Sequence, residues 1–266
     1  MAVLRYDDRG TAQSTGNFKN STSLDFATDA LAAVNYLLTR KEINKQKIGL
    51  IGHSEGGLIA PIVATNSKNI SFIVLLAGPG LPGNQLLLLQ QKTIAEAAGM
   101  SDAAIQKAQE INKTAFNIIA KSKSPEQLKT DITAYMTQVS KTDPNKPAGM
   151  TEAEYIKMQT DKILTPWMVT FLTFNPAPTL EKVKCPVLAL NGAKDLQVAP
   201  KENLTTIKEA LLKGGNKNIT IKELPNLNHL FQECKTGLPQ EYATIEQTFA
   251  PIALNEILDW IKIQTK

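Results

Sequence analysis

An α/β fold, with a mostly parallel sheet of about five strands flanked by helices and one helical insertion, is what this sequence predicts. Three observations point there. Short apolar runs alternate with amphipathic helical stretches. The alternation breaks once, over residues 84–173, where helix signals follow one another with no strand. A serine set among glycines, Gly52-His53-Ser54-Glu55-Gly56, joins an apolar run to a helical stretch.

Taken in order, "AVLRY" (2–6), "KIGLIGH" (47–53), "SFIVLLAG" (71–78) and "CPVLALNG" (185–192) read as buried parallel strands. "ITIKEL" (219–224) alternates more and suits an edge. Between them, 26–40 carries Phe26, Ala30, Ala33, Val34, Leu37 and Leu38 on one helical stripe. The stretch 201–215 ends on Gly-Gly, a helix stop, and 251–264 forms the last helix. Within 84–173, "LLLL" at 86–89 reads as core helix. Ile111, Ala115, Ile118 and Ile119 share a face, as do Leu128, Ile132, Tyr135 and Val139. Ser124-Pro125-Glu126-Gln127 and Thr151-Glu152-Ala153-Glu154 are helix-capping patterns. The expected organisation is a core of residues 1–83 and 174–266 with a helical cap at 84–173.

The charge is +4, from 29 basic and 25 acidic residues without a basic block, which argues against a nucleic-acid partner. No run reaches the 18 or so apolar residues that span a bilayer, so no membrane association is expected. The opening "MAVLRYDDRG" lacks a signal-peptide pattern, and the compartment is left open. Cys185 and Cys234 read as two unpaired thiols. Two histidines and two cysteines, far apart, predict no metal site, and no dinucleotide fingerprint implies a cofactor.

The chemistry centres on Ser54. A serine hydroxyl attacks only when a base takes its proton and the backbone projects it, and a strand-to-helix turn flanked by small residues does the latter. The helix N-terminus then offers backbone N–H groups to developing negative charge, with Glu55 supplying one such oxyanion donor. For the base there are two histidines. His53 adjoins the serine and is expected to point away from the hydroxyl, packing beside the site or lining its pocket. His229, beyond the last strand, is the candidate base. Asp195, just past the fourth apolar run, is the acid that would orient it, preferred over Glu223 and Glu233. Ser54…Asp195…His229 is the Ser…Asp…His order at strand ends. Gly78-Pro79-Gly80 is a strand-end turn whose Gly78 and Pro79 are further pocket-lining candidates. Asp7, Asp8 and Arg9 read as a structural ion-pair loop, and Trp167, Phe171 and Phe174 as packing between insertion and core, one of them a candidate wall for an acyl group. Glu152 and Glu154 read as capping acids.

These residues together resemble the α/β-hydrolase superfamily, specifically its carboxylesterase and serine-aminopeptidase-like group. "LRYDDRGTAQSTGNF" is similar to that group's loop after its fourth strand, "GHSEGG" to its nucleophile elbow, "CPVLALNGAKDLQV" to its acid loop and "LNHLFQECKTG" to its histidine loop. The resemblance implies a Ser54, His229, Asp195 triad, a cap at the insertion, and hydrolysis of a small-molecule carboxylic ester through an acyl-enzyme. Peptide N-termini or thioesters are the alternative substrates, and an inactive or assembly-dependent remnant is the alternative to an enzyme. Ala12 departs from the group, which usually has glycine there. The group also carries three strands and a helix ahead of the "RYDDRG" strand, one of whose loops supplies a second oxyanion donor. The resemblance therefore implies a sheet lacking those members, completed either by an upstream segment or by a second copy in a homodimer.

Overall fold

A computed structural model describes residues 1–141 and 146–266; the part of the expected cap at 142–145 lies outside them. In chain order the elements are α1 (Ser23–Thr39), β1 (Gly49–His53), α2 (Gly56–Asn66), β2 (Phe72–Leu76), α3 (Gly83–Ala97), α4 (Asp102–Lys121), α5 (Pro125–Ser140), α6 (Glu152–Ile163), α7 (Pro166–Thr173), the short α8 (Ala177–Leu180), β3 (Val187–Gly192), α9 (Pro200–Lys213), β4 (Ile219–Leu224) and α10 (Pro251–Gln264).

The sheet is wholly parallel in the order β1-β2-β3-β4. Register runs from Gly49 opposite Phe72, through Ile73 opposite Val187, to Val187 opposite Ile219. Both faces are covered, which is why β2 and β3 are fully buried and apolar apart from Asn191, whose side chain is hydrogen-bonded to the backbone. On one face Ile73, Leu75, Val187 and Ala189 pack with α1, α2 and α9 through Val34, Val63 and Ile207. On the other, Phe72, Val74, Leu188 and Leu190 meet Ile257, Trp260 and Ile261 of α10. Parallel strands all end on the same side, so the turns after β1, β3 and β4 are carried to one rim of the sheet.

The α/β class and the parallel sheet follow the expectation, with four of the five apolar runs forming it. The run 2–6 does not. Residues 1–8 are exposed and pair with no strand among the described residues. An apolar pattern becomes a strand only where a neighbouring backbone takes up its N–H and C=O groups, and none lies beside it. What fixes this end is Arg9, whose guanidinium makes a forked contact with Asp29 at 2.6 and 2.7 Å and reaches Asp25 at 3.3 Å, both on α1. Ala12 adopts φ 46°, the left-handed backbone that suits the glycine usual in the resembling group.

From Gly83 to Thr173 the described elements are all helices, joined by short connections, with no strand among the described residues. The capping patterns act as read: Ser124 accepts from the Gln127 amide, and Thr151 and Glu154 form a reciprocal box. Phe116, Ile119, Ile132 and Leu172 form a core of their own. Among the described residues no helix is long and apolar enough to cross a membrane, and no group of three His, Cys, Asp or Glu residues is placed to hold a metal ion. Both cysteines are free thiols, and burial pushes Cys185 up to about 11.

Candidate active site

The turn after β1 is built by close backbone approach. A Cβ on Gly52 would lie 2.0 Å from the Gly56 carbonyl oxygen, and one on Gly57 would lie 2.5 Å from the Gly78 Cα. Gly56 itself has open space around it. The glycines this turn requires are therefore Gly52 and Gly57, one position beyond the five-residue motif. Between them Ser54 sits at φ 53°, left-handed backbone that a residue with a side chain adopts at a cost of about 1–3 kcal/mol. The fold holds it there by a backbone bond from the Ser54 amide to the Leu76 carbonyl at 2.8 Å, while the Gly57 amide closes the turn on the Ser54 carbonyl.

α2 starts at Gly56, directly after Glu55. The Leu58 and Ile59 amides bond back to the Glu55 carbonyl, and the Glu55 N–H has no acceptor among the described residues. The Glu55 side chain does not cap the helix. Its Oε1 instead accepts from the Ser23 hydroxyl and from the Trp167 indole N–H, each at 2.6 Å.

Asp195 and His229 come together from separate loops after β3 and β4. The Asp195 Oδ2 lies 2.9 Å from His229 Nδ1, and both side chains are almost wholly buried. The other oxygen, Oδ1, accepts from the Gln197 and Val198 amides at 2.8 and 2.9 Å, which fixes the carboxylate plane. A carboxylate against Nδ1 holds the proton on that nitrogen and leaves the lone pair of neutral His229 on Nε2. The histidine loop is pinned by Asn228, whose Oδ1 accepts from the Leu230 and Gln232 amides and whose Nδ2 donates to the Gln232 side chain. Lys194 N–H to the Leu227 carbonyl ties the two loops together.

His53 joins this assembly to the serine turn. Its Nε2 donates to the His229 carbonyl at 2.8 Å, and the two rings are 4.8 Å apart between centroids. Desolvation of the ring, partly offset by its bond to the His229 carbonyl, holds the His53 pKa below its ordinary value, so the neutral donor form prevails near pH 7. With Leu230, Gln232 and Phe249 it also lines an open cleft of about 370 Å³. Gly78 and Pro79 are buried beneath the turn, and the following Gly80 and Leu81 amides bond to the Asn203 side chain.

The structure brings Asp195, His229 and His53 into contact, while the Ser54 hydroxyl makes no hydrogen bond among the described residues and is tied to them through His53, the residue before it. The Glu55 side chain has a role that the sequence does not mark. Its partners lie 32 and 112 residues away, so no local pattern could have marked them. Glu223 is exposed on β4, and the carboxyl partner of His229 is Asp195. Glu154 is taken up by capping Thr151, whose amide and hydroxyl hold its carboxyl below the usual range.

Residues 31–177 match the family described as BAAT / Acyl-CoA thioester hydrolase C terminal. The chain is 25% identical over 230 residues to esterase EstD of Thermotoga maritima, covering 86% of this chain and 46% of EstD, so it spans less than half of that relative's length. Among solved structures it resembles the α/β hydrolase GrgF from Penicillium sp. sh18, with a TM-score of 0.54 at 15% identity over 97% of this chain and 78% of that one. That likeness is one of fold, and the fold is the α/β-hydrolase fold.

Proposed function

Since this chain belongs to the BAAT / acyl-CoA thioester hydrolase C-terminal family, we propose that it is a serine hydrolase that cleaves a carboxylic ester through an acyl-enzyme. The observation that carries the reading is the Asp195–His229 pair, which leaves Nε2 as the basic nitrogen of a histidine packed on His53, the residue before Ser54.

In this mechanism Ser54 Oγ attacks the acyl carbonyl as His229 Nε2 takes its proton. Asp195 keeps Nδ1 protonated and stabilises the imidazolium that forms. The oxyanion of the tetrahedral intermediate accepts from the Glu55 N–H at the start of α2, where the helix dipole adds to the effect. Collapse breaks the bond to the alkoxide, which leaves with the proton from His229. Water, deprotonated by the same nitrogen, then attacks the acyl-serine, and Ser54 regains its proton. The helical segment 84–173 acts as the cap over this site.

A fluorophosphonate probe should label the folded chain at Ser54, and Ser54→Ala should lose both the label and turnover of p-nitrophenyl butyrate. Hydrolysis that continues unchanged in Ser54→Ala would overturn the assignment.

A thioester substrate is the second reading, and the family description favours it. The same acyl-enzyme serves both, because only the leaving group differs. Comparing kcat/KM for an acyl-CoA and for the p-nitrophenyl ester of the same acid separates the two.

A further inference from the structure

The helical segment touches the loops of the candidate site through polar contacts at two places. On the acid side, the Thr93 hydroxyl of α3 donates to the Leu196 carbonyl at 2.6 Å, and Gln90 donates to the side-chain oxygen of Gln197, a residue whose backbone N–H donates to Asp195. On the serine side, Trp167 of α7 donates to Glu55 at 2.6 Å. Between these contacts lies an apolar cluster of Leu58, Leu86, Phe171 and Val198, with the Trp167 ring stacked on Phe171 at 5.0 Å and 17° between planes.

Apolar packing orients a helix only through shape, because the hydrophobic attraction itself is not directional. An indole N–H on a carboxylate is directional and charge-assisted, and it fixes which face of α7 is presented. Glu55 is well suited to set that face. Its carboxylate is itself held from behind by Ser23 on α1, and its backbone directly follows Ser54. The indole is therefore one side chain away from the nucleophile turn, and it is half-buried, with part of its surface open.

We propose that Glu55 is a positioning residue for acyl-chain selectivity: by holding Trp167, it fixes the Trp167–Phe171 face of α7 as the apolar wall that receives the acyl chain of a substrate at Ser54. The inference rests on the acyl-transfer reading of Ser54. It gives Glu55 two separate tasks, the backbone N–H serving the oxyanion and the carboxylate serving the wall. A short acyl group does not reach the wall, whereas a long one depends on it. Loss of the contact frees the indole to rotate and penalises long chains selectively.

The test is a double-mutant cycle on the ratio of kcat/KM for p-nitrophenyl octanoate to that for p-nitrophenyl acetate. The ratio is internal to each preparation, so partial misfolding of a variant cancels. Glu55→Ala and Trp167→Phe should each lower it by about tenfold, and the double variant should lower it no further, since both remove one contact. Glu55→Gln keeps an acceptor oxygen and should hold the ratio within about twofold. Single variants that keep the wild-type ratio, or effects that simply multiply in the double variant, would overturn the role of Glu55 while the wild type still labels at Ser54. A folded wild type that neither labels nor turns over would overturn the acyl-transfer reading, and this inference with it.

Discussion

At the end of β1 the chain passes from strand to helix through two residues, Ser54 and Glu55, whereas at the ends of β3 and β4 two longer loops cross and bond to each other. The first junction places its serine by backbone: a left-handed residue, two glycines with no room for a Cβ, and one strand carbonyl as partner. The second is shaped largely by side chains, with Asp195 and Asn228 accepting from amides of their loops and Gln232 holding the Asn228 side chain. The difference fits the two tasks proposed for them. A nucleophile must be presented at one fixed point, which rigid covalent geometry does well. A base must be held in one tautomer, and only hydrogen bonds distinguish tautomers.

The strongest way to break the second junction is Asp195→Asn. The Gln197 and Val198 amides hold the carboxyl plane, so an asparagine keeps its oxygen toward them and turns its NH₂ toward His229 Nδ1. That forces the proton onto Nε2 and removes the base. Turnover of a p-nitrophenyl ester should fall by about 10⁴-fold with the fold intact by circular dichroism. A loss of less than about tenfold would mean that His229 is not the base.

The first junction is broken through its glycines. Gly57→Ala places a methyl against the Gly78 backbone, which cannot yield as a side chain would, and should cost about 1–3 kcal/mol in urea denaturation. Gly56→Ala, one residue earlier in open space, should be neutral or stabilising by up to about 1 kcal/mol. Equal effects at the two positions would contradict the close approach of α2 to the end of β2.

The smallest effect sharpens the link between the junctions. His53 has a folded pKa below its ordinary 6.5, so the folded state binds fewer protons than the unfolded one between those values. Stability is then fully present above about pH 7 and declines as pH falls through 6.5 toward the folded value. His53→Gln retains a donor for the His229 carbonyl and removes the titration. The drop in Tm from about pH 7.5 to about pH 5 should be larger for wild type than for this variant. Equal drops would place the acid sensitivity elsewhere.

Much of this arrangement was legible because it is local or ordered along the chain. Buried runs such as 72–76 and 187–192 have no polar residue except Asn191, and the cap boxes are read over four residues. Asp195 and His229 each follow an apolar run that forms a strand, and neighbouring strand ends bring the two together. Three features were not legible. The run 2–6 has a strand's composition, yet pairing depends on a neighbour that composition does not encode. The need for glycine at 57 rather than 56 comes from Gly78, in another element. The partners of Glu55 are chosen by how α1 and α7 lie against the turn, which no periodicity reports.

The crossover from β2 to β3 has a consequence in chain entropy. Joining the ends of a loop costs only about 0.6 kcal/mol for each doubling of its length, and the helices from Gly83 to Thr173 lengthen this crossover roughly fivefold, on the order of 1–1.5 kcal/mol in all. Those helices recover more than that by burying an interior of their own. The pairing of Ile73 with Val187 is thus nearly indifferent to how much polypeptide lies between them. A helical segment of another size could occupy the same crossover and leave the sheet in register, so the portion of the chain proposed to face the acyl group is also the portion whose length the sheet constrains least.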